Sequence, residues 1–184
     1  MTGIASRSQH RMSFLRYALV TVPLILLLGT ISGTVAGSGY GNPWFDALAK
    51  PALMPPGWVF GAAWTVLYIC LGLALALILH ARGARGRGIA VGIFLAQLLL
   101  NFAWSPIFFA AHEVGLAFIV IVVMIVLAAL AALLFARIRR PAGLLMVPYL
   151  AWLFFAAFLT WQIGRLNPDA DQLVPPQASA DIPL

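Results

Sequence analysis

VGLAFIVIVVMIVLAALAALLFA, residues 114–136, runs for 23 positions without a charged, hydroxyl or amide side chain. A helix over this stretch has no polar face to turn toward water, so it cannot lie on a soluble surface. In hydrocarbon the backbone must satisfy its own polar groups. About 20 apolar residues in a helix cross roughly 30 Å, and the stretch therefore predicts a transmembrane span. Four further apolar runs flank it, at residues 17–36, 58–79, 89–110 and 144–166. The expectation is an all-α, five-helix transmembrane domain over 17–166, with a basic segment at 1–16 and an acidic, proline-containing, disordered tail at 167–184.

Composition excludes most other classes. Of the 184 residues, 63% are apolar and 9% charged, and the mean hydropathy is +1.01. So few charges cannot cover a soluble domain. The net charge of +6 invites a nucleic-acid reading, but the basic residues form short clusters between apolar runs and make no phosphate-binding face. Cys70 is the only cysteine, so neither a disulfide framework nor a thiolate metal site is available. The sequence contains no hydrolytic triad, metal motif or phosphate loop.

The basic clusters set an orientation. Arg7, Arg11 and Arg16 precede the first run, Arg82, Arg85 and Arg87 follow the second, and Arg137, Arg139 and Arg140 follow the fourth. Only Lys50 and Arg165 fall on the other side. Positive loops stay cytoplasmic, which predicts a cytoplasmic N-terminus and an outside C-terminus in a bacterial membrane. A second reading of the first run is a secretory signal ending at Gly37. Cleavage there would leave four spans with their orientation unchanged.

A span needs only aliphatic residues and Phe, so polar and large aromatic side chains within it mark function. The fourth run has almost none. Ala128 and Ala132 lie four apart there, which suits a packing scaffold or lipid-facing wall. The other runs differ. Trp64 and Tyr68 share a helix face in the second; Gln97, Asn101, Trp104 and Phe108 form a stripe in the third; Tyr149, Trp152, Ala156 and Leu159 form one in the fifth. Together these stripes could line one cavity. Interfacial belts account for Trp44 and Trp58 and offer an alternative for Trp161. For Trp64, Trp104 and Trp152 the alternative to ligand contact is simple packing, and for Gln97 and Asn101 it is hydrogen bonding across helices. Pro106 and Pro148 predict kinks beside the aromatics, while Pro51, Pro55 and Pro56 stiffen the approach to the second helix.

Four ordered blocks, NPWFDALAKPALMPP, PPGWVFGAAWTVLY, QLLLNFAWSPIFF and PYLAWLFFAAFLTWQIGRLN, carry a family resemblance across roughly residues 41–167. The chain resembles the tryptophan-rich sensory protein or translocator protein family, also known as peripheral-type benzodiazepine receptors. The resemblance implies a five-helix bundle with a pocket beneath the first loop that binds porphyrins such as protoporphyrin IX, and also sterols or other apolar small molecules. Ligand-binding positions carried onto this chain are Trp64, Asn101, Trp104, Tyr149, Trp152, Ala156 and Leu159, with Trp44, Asp46, Lys50 and Pro51 as the lid; Tyr68 and Phe108 join the expected ligand-binding set from their places on the same stripes. Leu53 replaces a family aromatic, and the sterol-type motif is altered to Leu159, Trp161 and Arg165, which ranks sterol below porphyrin.

A porphyrin is a flat aromatic disc with two carboxylates. It needs aromatic faces, here Trp64, Trp104 and Trp152, and cations near water, here Lys50 or Arg165. Haem needs an axial ligand. His80 and His112 are expected at helix ends, so metal-free porphyrin suits the chain better, with Tyr149 and Met54 leaving haem open. No cofactor is required. Three functional classes remain: a sensor or receptor, a carrier, and a light- and oxygen-dependent porphyrin-degrading enzyme in which Trp64 and Trp152 react. The resemblance also implies a homodimer, for which Gly29, Gly33 and Gly37, or Gly88 and Gly92, supply small-residue stripes.

Overall fold

A computed structural model describes residues 7–173, and among them there is no strand. The helices are α1 (Arg7–Val35), α2 (Pro43–Ala47), α3 (Gly57–His80), α4 (Arg87–Ser105), α5 (Val114–Ile138), α6 (Arg140–Leu145) and α7 (Val147–Leu166). Five stretches are long and apolar enough to cross a membrane: Met12–Val35, Gly57–His80, Arg87–Ala110, Val114–Ile138 and Arg140–Leu166. The first helix begins ten residues before the expected boundary at 17, because the basic segment continues the helix.

The spans close into a ring. α3 packs on α1, on α6 and, more loosely, on α7; α7 packs on α5, α5 on α4, and α4 returns to α1. Side chains from all five spans, Ile25, Leu71, Phe94, Phe135 and Leu153 among them, form the shared core. α1 belongs fully to this bundle. The Thr21 hydroxyl donates to the Gly72 carbonyl at 2.8 Å. A Cβ on Gly72 would fall 2.7 Å from Val22 Cα, so only glycine allows this crossing.

Two prolines act differently from simple kinks. Pro106 opens a π-helical turn, Pro106–Ala110, that continues α4 and is closed by the Ala111 N–H donating to the Pro106 carbonyl at 2.9 Å. Pro148 falls in the first turn of α7, just past a break at Met146 that divides the last span into α6 and α7. A missing backbone donor is harmless at a helix start.

The first loop is a built structure. Asn42 caps α2, its Oδ1 accepting from the N–H groups of Trp44 and Phe45 at 3.0 and 3.1 Å. Its Nδ2 donates to the carbonyls of Gly37 and Phe109 at 3.1 and 3.3 Å. Beneath it a second small core gathers Trp44, Phe45, Leu48, Phe108, Val114, Ile163 and Ala170. Of residues 167–173, expected within a disordered tail, Ala170 packs into this core and Asn167 and Asp171 are held by hydrogen bonds. Asn167 pairs its side-chain amide with both backbone groups of Ala49, and Asp171 accepts from the Val114 N–H at 3.1 Å. The remainder of that tail and residues 1–6 lie outside the described residues.

Candidate ligand-binding cavity

A cavity of about 850 Å³ lies under the first loop. Its walls come from α1, the loop and α2, α3, the end of α4 with its π-helical turn, and α7. Seven expected residues line it: Trp64, Tyr68, Trp104, Phe108, Trp152, Ala156 and Leu159. The three stripes therefore converge. Trp64 lies tilted on Tyr68 with ring centroids 5.2 Å apart and edge-on to Trp152 at 6.3 Å. Trp104 is fixed more firmly, stacked on Phe108 at 5.0 Å with its Nε1 donating to the Ala117 carbonyl. Trp152 also lines a shallow apolar groove between α3 and α7, and so separates cavity from groove.

Asn101 and Tyr149 stand one layer behind the cavity wall. The Tyr68 hydroxyl donates to Asn101 Oδ1 at 3.1 Å, Asn101 Nδ2 donates to the Tyr149 hydroxyl at 3.2 Å, and the Tyr149 hydroxyl donates to Gln97 Oε1 at 2.8 Å. All four residues are buried. The string ties α3, α4 and α7 together across the middle of the bundle. It ends at Gln97 Nε2, which is buried without a partner.

The expected lid residues hold the loop in shape and do not reach the cavity. Trp44 is only 1% exposed; its Nε1 donates to the Ala170 carbonyl at 2.9 Å and its ring stacks on His112 at 4.4 Å. Asp46 accepts from the Gly41 N–H. Lys50 directs Nζ to the carbonyls of Phe45, Asp46 and Leu48 at 2.8, 3.1 and 3.2 Å, closing the end of α2. Pro51 is buried and off the cavity lining. The cavity is instead roofed by Tyr40, Asn42, Pro43, Phe45 and Met54. Trp161 is 44% exposed with the Arg165 guanidinium over its ring at 5.1 Å, while Leu159 is turned into the cavity. The three sterol-motif residues thus do not share a face. No charged side chain lines the cavity among the described residues; its polar groups include Thr30, Thr34, Ser105 and Thr160.

Sequence reasoning missed the wall from α1, made by Leu26, Gly29, Thr30, Gly33 and Thr34. Gly29 admits the Tyr68 ring, since a Cβ there would lie 2.2 Å from it. The Gly29/Gly33 repeat was the available signal, and its first use is inside the bundle. At Gly88 and Gly92 a Cβ would meet nothing within 4 Å among the described residues, so that stripe keeps an open face.

Residues 20–166 match the TspO/MBR family, a span that includes most of α1. The chain belongs to the TspO/MBR family. It is 40% identical over 126 residues to a tryptophan-rich protein TspO from Chlorobaculum tepidum, covering 68% of this chain and 80% of that one. To a translocator protein of Ovis aries it is 36% identical over 141 residues, 76% and 83% of the two chains. To a tryptophan-rich sensory protein of Cereibacter sphaeroides it is 38% identical over 126 residues, 68% and 78%. Membership in the TspO/MBR family, with five apolar helices, makes this a multi-pass integral membrane protein.

Proposed function

We propose that this protein is a membrane sensor or receptor that binds a tetrapyrrole, metal-free porphyrin, in the cavity beneath the first loop. The observation that carries the reading is an uncharged, aromatic-walled cavity of about 850 Å³, within the roughly 300–1,000 Å³ range of small-molecule sites. Trp64, Trp152 and the Trp104/Phe108 stack offer faces for a flat ring. Lys50 sits behind the wall, 4.8 Å from the Phe45 ring, with its donors engaged, and Arg165 lies on Trp161. Neither is poised to bind a propionate directly, so in this reading the carboxylates lie at the exposed end of the cavity near Thr34 and Ser38. Of the lining groups able to ligate haem iron, Tyr68 is bonded to Asn101 and Tyr40 to the Pro55 carbonyl, which leaves Met54, and metal-free porphyrin is the better fit. The cytoplasmic N-terminus and the homodimer belong to the same proposal, with Gly88 and Gly92 as the open stripe.

Titrating protoporphyrin IX into the detergent-solubilised protein should quench tryptophan fluorescence saturably. Trp64→Phe with Trp152→Phe together should weaken binding by about tenfold, the loss of two stacking contacts. Unchanged binding in that double variant would sink the pocket assignment. One alternative has an observation behind it: the indole N–H groups of Trp64 and Trp152 have no partner among the described residues, and both rings face the cavity, which suits reactants in light-dependent porphyrin degradation. Bleaching under illumination no faster than with free tryptophan would remove it.

A further inference from the structure

The string from Tyr68 to Gln97 has a direction. Every hydrogen in it points from the cavity toward the core: Tyr68 to Asn101, Asn101 to Tyr149, Tyr149 to Gln97. At the cavity end this leaves the Tyr68 oxygen with a lone pair and no proton to give. At the core end it leaves Gln97 Nε2, fully buried, as a donor with no acceptor. Turning over the two amides and rotating the two hydroxyls reverses the string with the same number of internal bonds. Gln97 Nε2 then donates to Tyr149, Tyr149 to Asn101 and Asn101 to Tyr68. The Tyr68 proton is released toward the cavity, and the unpartnered group at the core end becomes the Gln97 carbonyl.

Neither sense is complete without a further partner, and Tyr68 is the only member of the string that lines the cavity. A partner supplied there adds a fourth bond to the string in whichever sense matches it. Such strings strengthen as they lengthen, because each bond polarises the next. Among the described residues no cation lines the cavity beside Tyr68 to hold a carboxylate, so the matching group is uncharged.

We propose that Tyr68 is a specificity-determining residue that reads one neutral polar atom on the inner end of an otherwise apolar ligand, and that the reversible string lets it accept from a hydroxyl or donate to a carbonyl. This rests on the cavity being the ligand site, but not on the ligand being a tetrapyrrole. A charged group is excluded from the inner end, and a pure hydrocarbon forgoes the extra bond.

Three probes share one ring system and differ only in that atom: pyrene, 1-pyrenemethanol and 1-pyrenecarboxaldehyde. Binding to the full chain in detergent is read by tryptophan quenching. The alcohol and the aldehyde should each bind about fivefold tighter than pyrene, the worth of one hydrogen bond. In Tyr68→Phe the three affinities should fall within about twofold of each other. The aldehyde carbonyl stretch should move to lower frequency in the wild-type protein. A gain for the alcohol alone overturns the reversal, and equal binding of all three overturns the site. If Tyr68→Phe does not fold, an unshifted carbonyl band in the wild type overturns the proposal by itself. Protoporphyrin IX should displace all three probes. Failure to displace them removes the tetrapyrrole reading and leaves the role of Tyr68 standing.

Discussion

At the scale of single residues, the decisive fact is where hydrogen-bond partners go in a place without water. Tyr149 bridges Asn101 and Gln97 at zero exposure, and Gln97 already carries one unpartnered group. Tyr149→Phe deletes both bonds and strands the whole Gln97 amide. The expected loss is about 1–2 kcal/mol, since a stranded buried polar group costs more than its bond was worth and bonds between membrane helices are modest. Tyr149→Phe combined with Gln97→Leu should recover part of the loss, because no Gln97 amide is then left unsatisfied. Thermal unfolding in detergent reads both, and a fully stable Tyr149→Phe protein would contradict the string as drawn. These residues were legible as unusual, because amides in an apolar run are rare. Their depth was not. Asn101 shares a stripe with Trp104, yet only Trp104 reaches the cavity, because Tyr68, admitted by the bare face of Gly29, takes the place in front of Asn101.

At the scale of elements, the first loop decides what Lys50 is for. A lysine beside the proposed porphyrin pocket invites a role in holding a propionate, but its ammonium closes the end of α2 through three carbonyls. Lys50→Met should therefore cost about 1–2 kcal/mol of stability, as removal of charge-assisted bonds does. Its protoporphyrin affinity should keep the wild-type dependence on salt. A variant that keeps full stability but loses affinity would return Lys50 to the ligand. The long helices were readable from hydropathy, because lipid allows few other ways to satisfy a backbone. The short ones were not. Asn42 followed by Pro43 is a helix start in sequence, but a helix of five residues is fixed by what it packs on, here Phe108, Val114 and Ala170. The segment 167–173 misleads for the same reason. Its acidic, proline-bearing context suggests disorder, while three of its groups have specific jobs: the Asn167 amide on Ala49, the Ala170 carbonyl on Trp44 and the Asp171 carboxylate on Val114.

At the scale of the whole molecule, the arginine clusters and the cavity lie at opposite ends. Arg82, Arg85, Arg87, Arg137, Arg139 and Arg140 sit at or just beyond the helix ends remote from the first loop, Arg16 lies in the N-terminal half of α1, and Arg82 binds the Tyr17 hydroxyl through Nε and Nη2 at 3.0 and 2.8 Å. Of the lysines and arginines among the described residues, the loop end carries only Lys50, turned inward on carbonyls, and Arg165. The proposed cytoplasmic N-terminus, argued from retention of arginine-rich loops, therefore carries a prediction about the cavity: its mouth should face away from the cytoplasm, so that a ligand would arrive from outside. Single cysteines report this directly in a Cys70→Ala background, one at Ser38 beside the mouth and one at Ala84 between α3 and α4. A membrane-impermeant maleimide added to intact spheroplasts should label Ser38→Cys, and should label Ala84→Cys only after lysis. The opposite pattern would turn the cavity toward the cytoplasm and overturn entry from outside.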